Sequence, residues 1–320
     1  MRIVSLLVLP VFFALPLAHA ADTPDQRKAA LQGVLSDYWE EQVKHDPEMA
    51  SALGDKRYDD QLSDYSVQGY NAALDRGRAF LDRLGVIDTD GLSEEDKRSK
   101  ELLVNRLIQD QEDAQLKPWE LPVTDTSGLP LELPQLVAEL RFDSQQDYEH
   151  YIDRLKKVPT AFEQITTNLM TGMDDNHVLP KDTIDKLIAE TNTIATEKPE
   201  DSVFAMPLKK FPAGVSDADQ ASDKQEILAA ITRQVLPSYK RFGKFLQAQY
   251  EPRGQTAVAT AKGHGYNMEQ TTVLELRAEA EKTLGSKFNI KAFRGQVLSS
   301  EALPANELAK RIDSWIAEQK

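Results

Sequence analysis

Apolar residues return at every third or fourth position through nearly the whole chain, and that period constrains the fold before any motif is considered. Ala29, Leu31, Val34, Leu35, Tyr38 and Trp39 form one such stripe. Others are Tyr70, Ala73, Leu74, Phe80, Leu81 and Leu84, then Leu102, Leu103, Leu107 and Ile108, then Tyr148, Tyr151, Ile152 and Leu155. Later come Ile227, Ile231, Val235, Phe242, Phe245 and Leu246, and finally Val273, Leu274, Leu276, Ala280 and Leu284. Each stripe must bury one face of a helix against other helices. No convincing β-rich region and no repeat of fixed period accompanies them. The expected fold is all-α, a multi-helix bundle or array.

Local signals place the helix ends. Asp46-Pro47 supplies an N-cap and a proline suited to a first helical turn, with an end expected at Gly54. Ser66 caps the next helix, and Ser93 with Asp96 and Ser144 with Asp147 are spaced like capping boxes. Pro118, Pro122, Pro130 and Pro134 predict an ordered loop or short strand near 117–135, because the residue before each is biased toward extended geometry. Further helices are expected at about 159–174 and 180–196, then a long surface connection over 197–222. The longest pattern, Asp223 to Tyr250, contains Pro237, which should kink or break it. Short helices around Ala292–Leu298 and Pro304–Ala317 finish the chain.

Met1-Arg2, an apolar run from Ile3 to Leu17 and Ala18-His19-Ala20 read as a secretory signal peptide cleaved after Ala20. The run is short and interrupted by Pro10 and Pro16, so it is not read as a lasting membrane anchor. The expected location is periplasmic or secreted. The organisation expected after the signal, residues 1–20, is a helical region over 21–255 and a second helical block over 256–320.

Composition removes several chemistries. The chain has 38 basic and 52 acidic side chains, a net charge of -14, which disfavours nucleic acid as a partner. With no Cys there is no disulfide frame, thiolate nucleophile or Cys-ligated metal. His45, His150, His177 and His264 are far apart in sequence and form no H-E-x-x-H or H-x-H pair. Asp55, Asp59, Asp60 and Asp64, like Asp88-Thr89-Asp90-Gly91, lack the spacing and closing Glu of a calcium loop. There is no G-x-S-x-G elbow, and Lys262-Gly263-His264-Gly265 lacks the ending of a phosphate loop. A Ser–His–acid triad assembled from distant segments stays open. No catalytic residue, metal ligand or cofactor is assigned on these grounds.

Several blocks together resemble a bacterial family, domain of unknown function 885. They are Tyr38-Trp39-Glu40, Asp46-Pro47, and the run from Leu53-Gly54-Asp55-Lys56-Arg57-Tyr58-Asp59-Asp60 to Ser66. Leu131-Glu132-Leu133-Pro134-Gln135-Leu136 follows, with Asp147-Tyr148, Tyr151 and Arg154-Leu155, then Val235-Leu236-Pro237-Ser238-Tyr239. Leu274-Glu275-Leu276-Arg277-Ala278-Glu279-Ala280 belongs to a last block reaching Leu303-Pro304. The resemblance implies helical zinc peptidases built on an H-E-x-x-P-G-H-H type motif, in which two His hold zinc and a Glu activates water. No position here matches that motif, so the zinc-ligand and general-base roles carry over to no residue. The chain passes from Tyr250-Glu251-Pro252 almost directly to the last block, as an internally shortened member would. That block also departs from relatives at Tyr266-Asn267-Met268-Glu269-Gln270 and at Phe293-Arg294.

The resemblance leaves Tyr266 and Arg277 as remnants of substrate contact, with packing and surface charge as the competing roles. Arg57 and Tyr58 are candidates to line a groove, or to form an Arg–Asp lock between helices. The resulting expectation is a non-catalytic scaffold that binds peptides or an envelope protein. The alternatives are a metal-dependent peptidase or hydrolase with an unrecognised site, and a partly folded relic.

Overall fold

Where each helix starts is decided by side chains that accept the first free N–H groups. A computed structural model of the chain describes residues 22–124, 126–254, 268–289, 292–293, 296 and 305–319. The signal-peptide residues, the Gly263–Gly265 stretch and Tyr266 lie outside them. Helix α1 (Pro24–His45) opens on a capping box between Thr23 and Gln26, and α2 (Pro47–Ala52) on Asp46, whose carboxylate accepts the Met49 N–H at 2.9 Å. Ser66 caps α3 (Val67–Gly85) and Ser93 caps α4 (Glu94–Asp113). Helices α5 (Leu129–Glu139), α6 (Gln145–Asp174), α7 (Lys181–Ala195), α8 (Asp217–Ala230) and α9 (Leu236–Phe245) follow. Helices α10 (Met268–Leu284) and α11 (Ala305–Gln319) close the order, and the described residues hold no strand. The all-α expectation is met.

The prolines behave differently from the sequence reading at two places. The Pro-rich stretch is ordered as expected, but its second half is helix α5, which runs through Pro134. Pro134 has no N–H to give the carbonyl of Pro130, four residues back. The buried Tyr239 hydroxyl donates to that carbonyl instead, at 2.9 Å, which removes the penalty for an unmet acceptor. Likewise α6 does not restart at Pro159 but passes through it as one 30-residue helix. At Pro237 the expected distortion takes the form of a widened turn over Ile231–Val235, in which the Leu236 N–H reaches back five residues to Ile231. The expected surface connection at 197–222 is partly internal, since Phe204, Ala205 and Val215 are buried.

Buried apolar residues fall into three clusters. One packs α1, α3 and α4 through Leu31, Val34, Phe80, Leu84, Leu103 and Leu107. The largest joins α5 through α9, with Tyr151, Leu155, Phe162, Tyr239, Phe242 and Leu246 near its centre. The third gathers α10 and α11 onto Leu53, with Trp39 and Met49 at its edge. Ala52 belongs to the largest cluster and its neighbour Leu53 to the third. The short helix α2 is therefore the joint at which the cores meet.

A polar stripe on α6 holds that joint. Arg154, only 1% exposed, donates from Nε to the Gln61 carbonyl at 2.8 Å. Its Nη2 donates to Ser51 Oγ at 2.7 Å and the Tyr58 carbonyl at 3.0 Å, with the Asp59 carboxylate 3.7 Å away. Lys157 donates to the Asp60 carbonyl at 2.8 Å, Gln164 accepts the Tyr65 N–H at 3.0 Å, and Asn168 donates to the Tyr65 carbonyl at 2.6 Å. The residues are spaced to share one helical face. They supply the partners that the irregular backbone of residues 58–65 cannot find in a helix or sheet. Arg154→Met should keep the volume but strand these acceptors and Asp59. We expect a loss of about 3–5 kcal/mol in urea unfolding, against under about 1 kcal/mol for the exposed Lys156→Met. Equal small losses would show that Arg154 does not hold the joint.

Candidate functional site

The segment that joins the cores also carries two of the residues singled out from sequence. After α2, Gly54 adopts a φ of 77°, a left-handed conformation in which a Cβ is strained, and turns the chain into Lys56–Tyr58. Asp55 caps this turn by accepting the Arg57 N–H at 3.1 Å. The exposed Arg57 guanidinium pairs with Asp55 and, across to α1, with Glu40, both at 2.7 Å. It also lies 5.6 Å from the centre of the half-buried Tyr58 ring. Arg57 thus serves as a clasp between α1 and the turn. Exposed pairs of this kind contribute little stability, at most about 1 kcal/mol.

Arg277 is placed differently from a groove residue. It is 4% exposed, on α10 against α2, and its Nη1 donates to the Ala52 carbonyl at 2.6 Å while Nε donates to Glu281 at 3.2 Å. A cation meeting a carbonyl at the end of α2 satisfies an acceptor that the helix leaves open. Arg57, Tyr58 and Arg277 all gather around α2, and the bonds of the two arginines are internal to the fold.

Beneath them lies a group of carboxylates that the sequence reading missed. Glu48, 2% exposed, accepts the Ser63 hydroxyl at 2.6 Å, the Ser63 N–H at 3.1 Å and the Tyr65 hydroxyl at 3.0 Å. Buried Glu132 and the half-buried Asp46 are close enough to act on one another. Burial of its carboxyl and the nearby Glu48 charge push Asp46 up to about 7, opposed by the Met49 N–H and helped by Glu132. Glu48 reads in sequence as an ordinary acid in a first helical turn. Only its bonds to residues 63 and 65 reveal the buried role.

A second polar corner pins the Pro-rich stretch to the α6–α7 connection. Buried Glu120 accepts from His177 Nδ1 at 3.0 Å, and Lys117 reaches both Glu120, at 3.2 Å, and Asp175. Lys117 and Asn176 both adopt positive φ, 50° and 58°, at the two ends of this contact. Gly172 is required between them, since a Cβ there would lie 2.7 Å from the His177 carbonyl and 2.8 Å from that of Glu120. A carboxylate-oriented imidazole can serve as a general base. Among the described hydrogen bonds, however, none joins His177 to a hydroxyl nucleophile. His45 pairs with Glu41 on α1, and His150 contacts Gln146 on α6. Among the described residues no three His, Asp or Glu side chains come together as metal ligands.

The remaining feature is a groove of about 410 Å³ between α6 and α9. Pro159, Phe162, Glu163 and Thr166 line it from α6, and Arg241 and Phe242 from α9. Phe162 and Phe242 form its buried floor, with ring centres 5.6 Å apart. Glu163 and Arg241 are exposed.

Comparison with known proteins places the chain. A family model described as a bacterial protein of unknown function, DUF885, matches residues 47–266. Among solved structures, that of a candidate lipoprotein from Colwellia psychrerythraea superposes with a TM-score of 0.63 at 13% identity. The match covers 88% of this chain and 53% of that one, so the chain spans about half the length of that relative. At this identity the likeness is one of fold. A search of curated proteins returns no match.

The carboxylate group makes stability depend on pH. Asp46 holds its proton in the folded chain where the unfolded chain has lost it, so its contribution is full below about pH 4 and fades as pH rises toward 7. Asp46→Asn keeps an N-cap acceptor without the charge. Relative to wild type, it should gain about 1–3 kcal/mol between about pH 4 and pH 8. Urea unfolding at the two pH values would show this, and an unchanged difference would contradict it.

Proposed function

The chain belongs to the DUF885 family of bacterial proteins of unknown function, and from that premise we propose that it is a non-catalytic helical scaffold binding peptides or an envelope protein. The observation that carries this reading is how its buried charged groups are used. The hydrogen bonds that Arg154, Arg277 and Glu48 make around α2 go to backbone and side chains of the fold, and of these groups only the buried Nη1 of Arg154 is left without a partner among the described residues. Catalytic acids, bases and substrate-binding arginines need such groups turned toward a cleft. By contrast, the groove between α6 and α9 is open, has an aromatic floor and carries charge on both walls, the arrangement suited to a short peptide segment.

The periplasm or the secreted space is the proposed location. It is supported by the apolar run Ile3–Leu17 with Ala18-His19-Ala20. Zinc has no proposed role in this chain, since no position matches the H-E-x-x-P-G-H-H type motif that the resemblance implies.

One experiment separates the scaffold from a hydrolase. The purified protein is dialysed against zinc, then against metal-free buffer, and presented with a panel of peptides of varied composition. We expect substoichiometric zinc and peptide binding without cleavage. Stoichiometric zinc with cleavage that a chelator abolishes would contradict the proposal, as would failure to bind any peptide.

A further inference from the structure

The helical stretch from Ile231 to Tyr250 carries Arg233, Lys240, Arg241 and Lys244 and not one acidic residue. In a chain of net charge -14 this is an unusual local excess. All four side chains are exposed, and none makes an ion pair with another described residue. Lys240, Arg241 and Lys244 fall within about 100° of arc on α9, and Arg233 lies two turns before them on the same side. The opposite side of the helix, through Val235, Tyr239, Phe242 and Leu246, is buried in the largest core. The basic face is therefore held rigidly and points outward. Arg241 is further steadied by donating from Nη2 to the buried Ser238 hydroxyl at 3.2 Å, and it forms one wall of the α6–α9 groove.

We propose that this face and the adjoining groove dock an acidic peptide segment, its carboxylates on Lys240, Arg241 and Lys244 and its backbone over the Phe162–Phe242 floor. This deepens the scaffold reading and rests on it. Charge complementarity selects the occupant. The chain as a whole is acidic, so an acidic partner is favoured where basic side chains cluster on one face next to a groove, as they do here. A second copy of the chain would bring another -14 charge and is disfavoured at long range. A membrane surface is disfavoured for the same reason, because anionic headgroups would meet mostly acidic protein. Glu163, exposed on the opposite wall with no ion-pair partner among the described residues, sets a direction: the peptide's acidic residues should sit toward α9 and not over α6.

The test uses the full chain and a fluorescein-labelled glutamate-rich peptide, read by anisotropy. The wild-type protein should bind it, with affinity falling as salt screens the contacts. Lys240→Gln/Arg241→Gln/Lys244→Gln should weaken binding about tenfold or more, as expected for several lost charge contacts. Lys209→Gln/Lys210→Gln/Lys224→Gln removes equal charge from other exposed positions and should change it by less than about twofold. Glu163→Gln should tighten binding, an effect that loss of fold could not produce. Circular dichroism melts establish that the variants are folded.

The inference is overturned if the two triple variants bind alike, or if the glutamine version of the peptide binds as well as the acidic one. It is also overturned if the protein binds phosphatidylglycerol vesicles and not the peptide, which would make the face a lipid contact. Binding of peptides from the varied panel, undiminished in the α9 triple variant, would remove this site and leave the scaffold reading standing. Failure of every peptide to bind would remove both.

Discussion

A guanidinium buried on the first third of α6 is the contact on which the rest of the arrangement depends. Arg154 is almost without solvent, so its charge is tolerated only because Gln61, Tyr58, Ser51 and Asp59 surround it. Those partners lie on α2 and the irregular segment after it, and the dependence runs both ways. Without Arg154 the segment's carbonyls lose their donors, and without the segment the arginine could not be buried. Lys157, Gln164 and Asn168 extend the same logic along α6. Because Ala52 and Leu53 face different cores, fixing this short segment also fixes how α10 and α11 sit against the larger body.

Buried hydroxyls solve a related problem posed by irregular backbone. Tyr239 replaces the donor missing at Pro134, Tyr151 donates to the Phe204 carbonyl at 2.8 Å, and Tyr250 accepts the Leu179 N–H at 3.1 Å. Each ring fills core volume while its hydroxyl meets a main-chain group that no helix serves. This accounts for tyrosines at positions where an apolar stripe would accept phenylalanine.

Much of the helical architecture was legible because it rests on local rules. The stripes marked the buried faces, and Asp46, Ser66 and Ser93 cap the helices that they precede. Pro134 and Pro159 misled because proline is a local signal, whereas continuation of the helix depends on tertiary packing. The site was less legible. Arg154 stands within the stripe Tyr148, Tyr151, Leu155, and that position was the available sign that a charge was being buried. Glu48 gave no such sign, since an acid in a first turn is ordinary. Arg277 was picked out by resemblance, but its contact with Ala52 depends on residues 225 positions apart. The basic residues of α9 were present in the sequence, but that they form no ion pair with another described residue could be seen only in the fold.

The buried polar groups thus hold α2, and the proposed recognition falls to an outer face and groove. Hydrogen exchange monitored under native conditions tests the first of these most directly. A surface loop without regular structure ordinarily exchanges through local opening. If residues 53–66 are locked to α6 as described, the Asp55, Gln61, Ser63 and Tyr65 amides should exchange only with the global unfolding that releases α6 itself. Exchange of these amides at the rate of an open loop, while α6 stays protected, would contradict the claim that this segment is the joint of the fold.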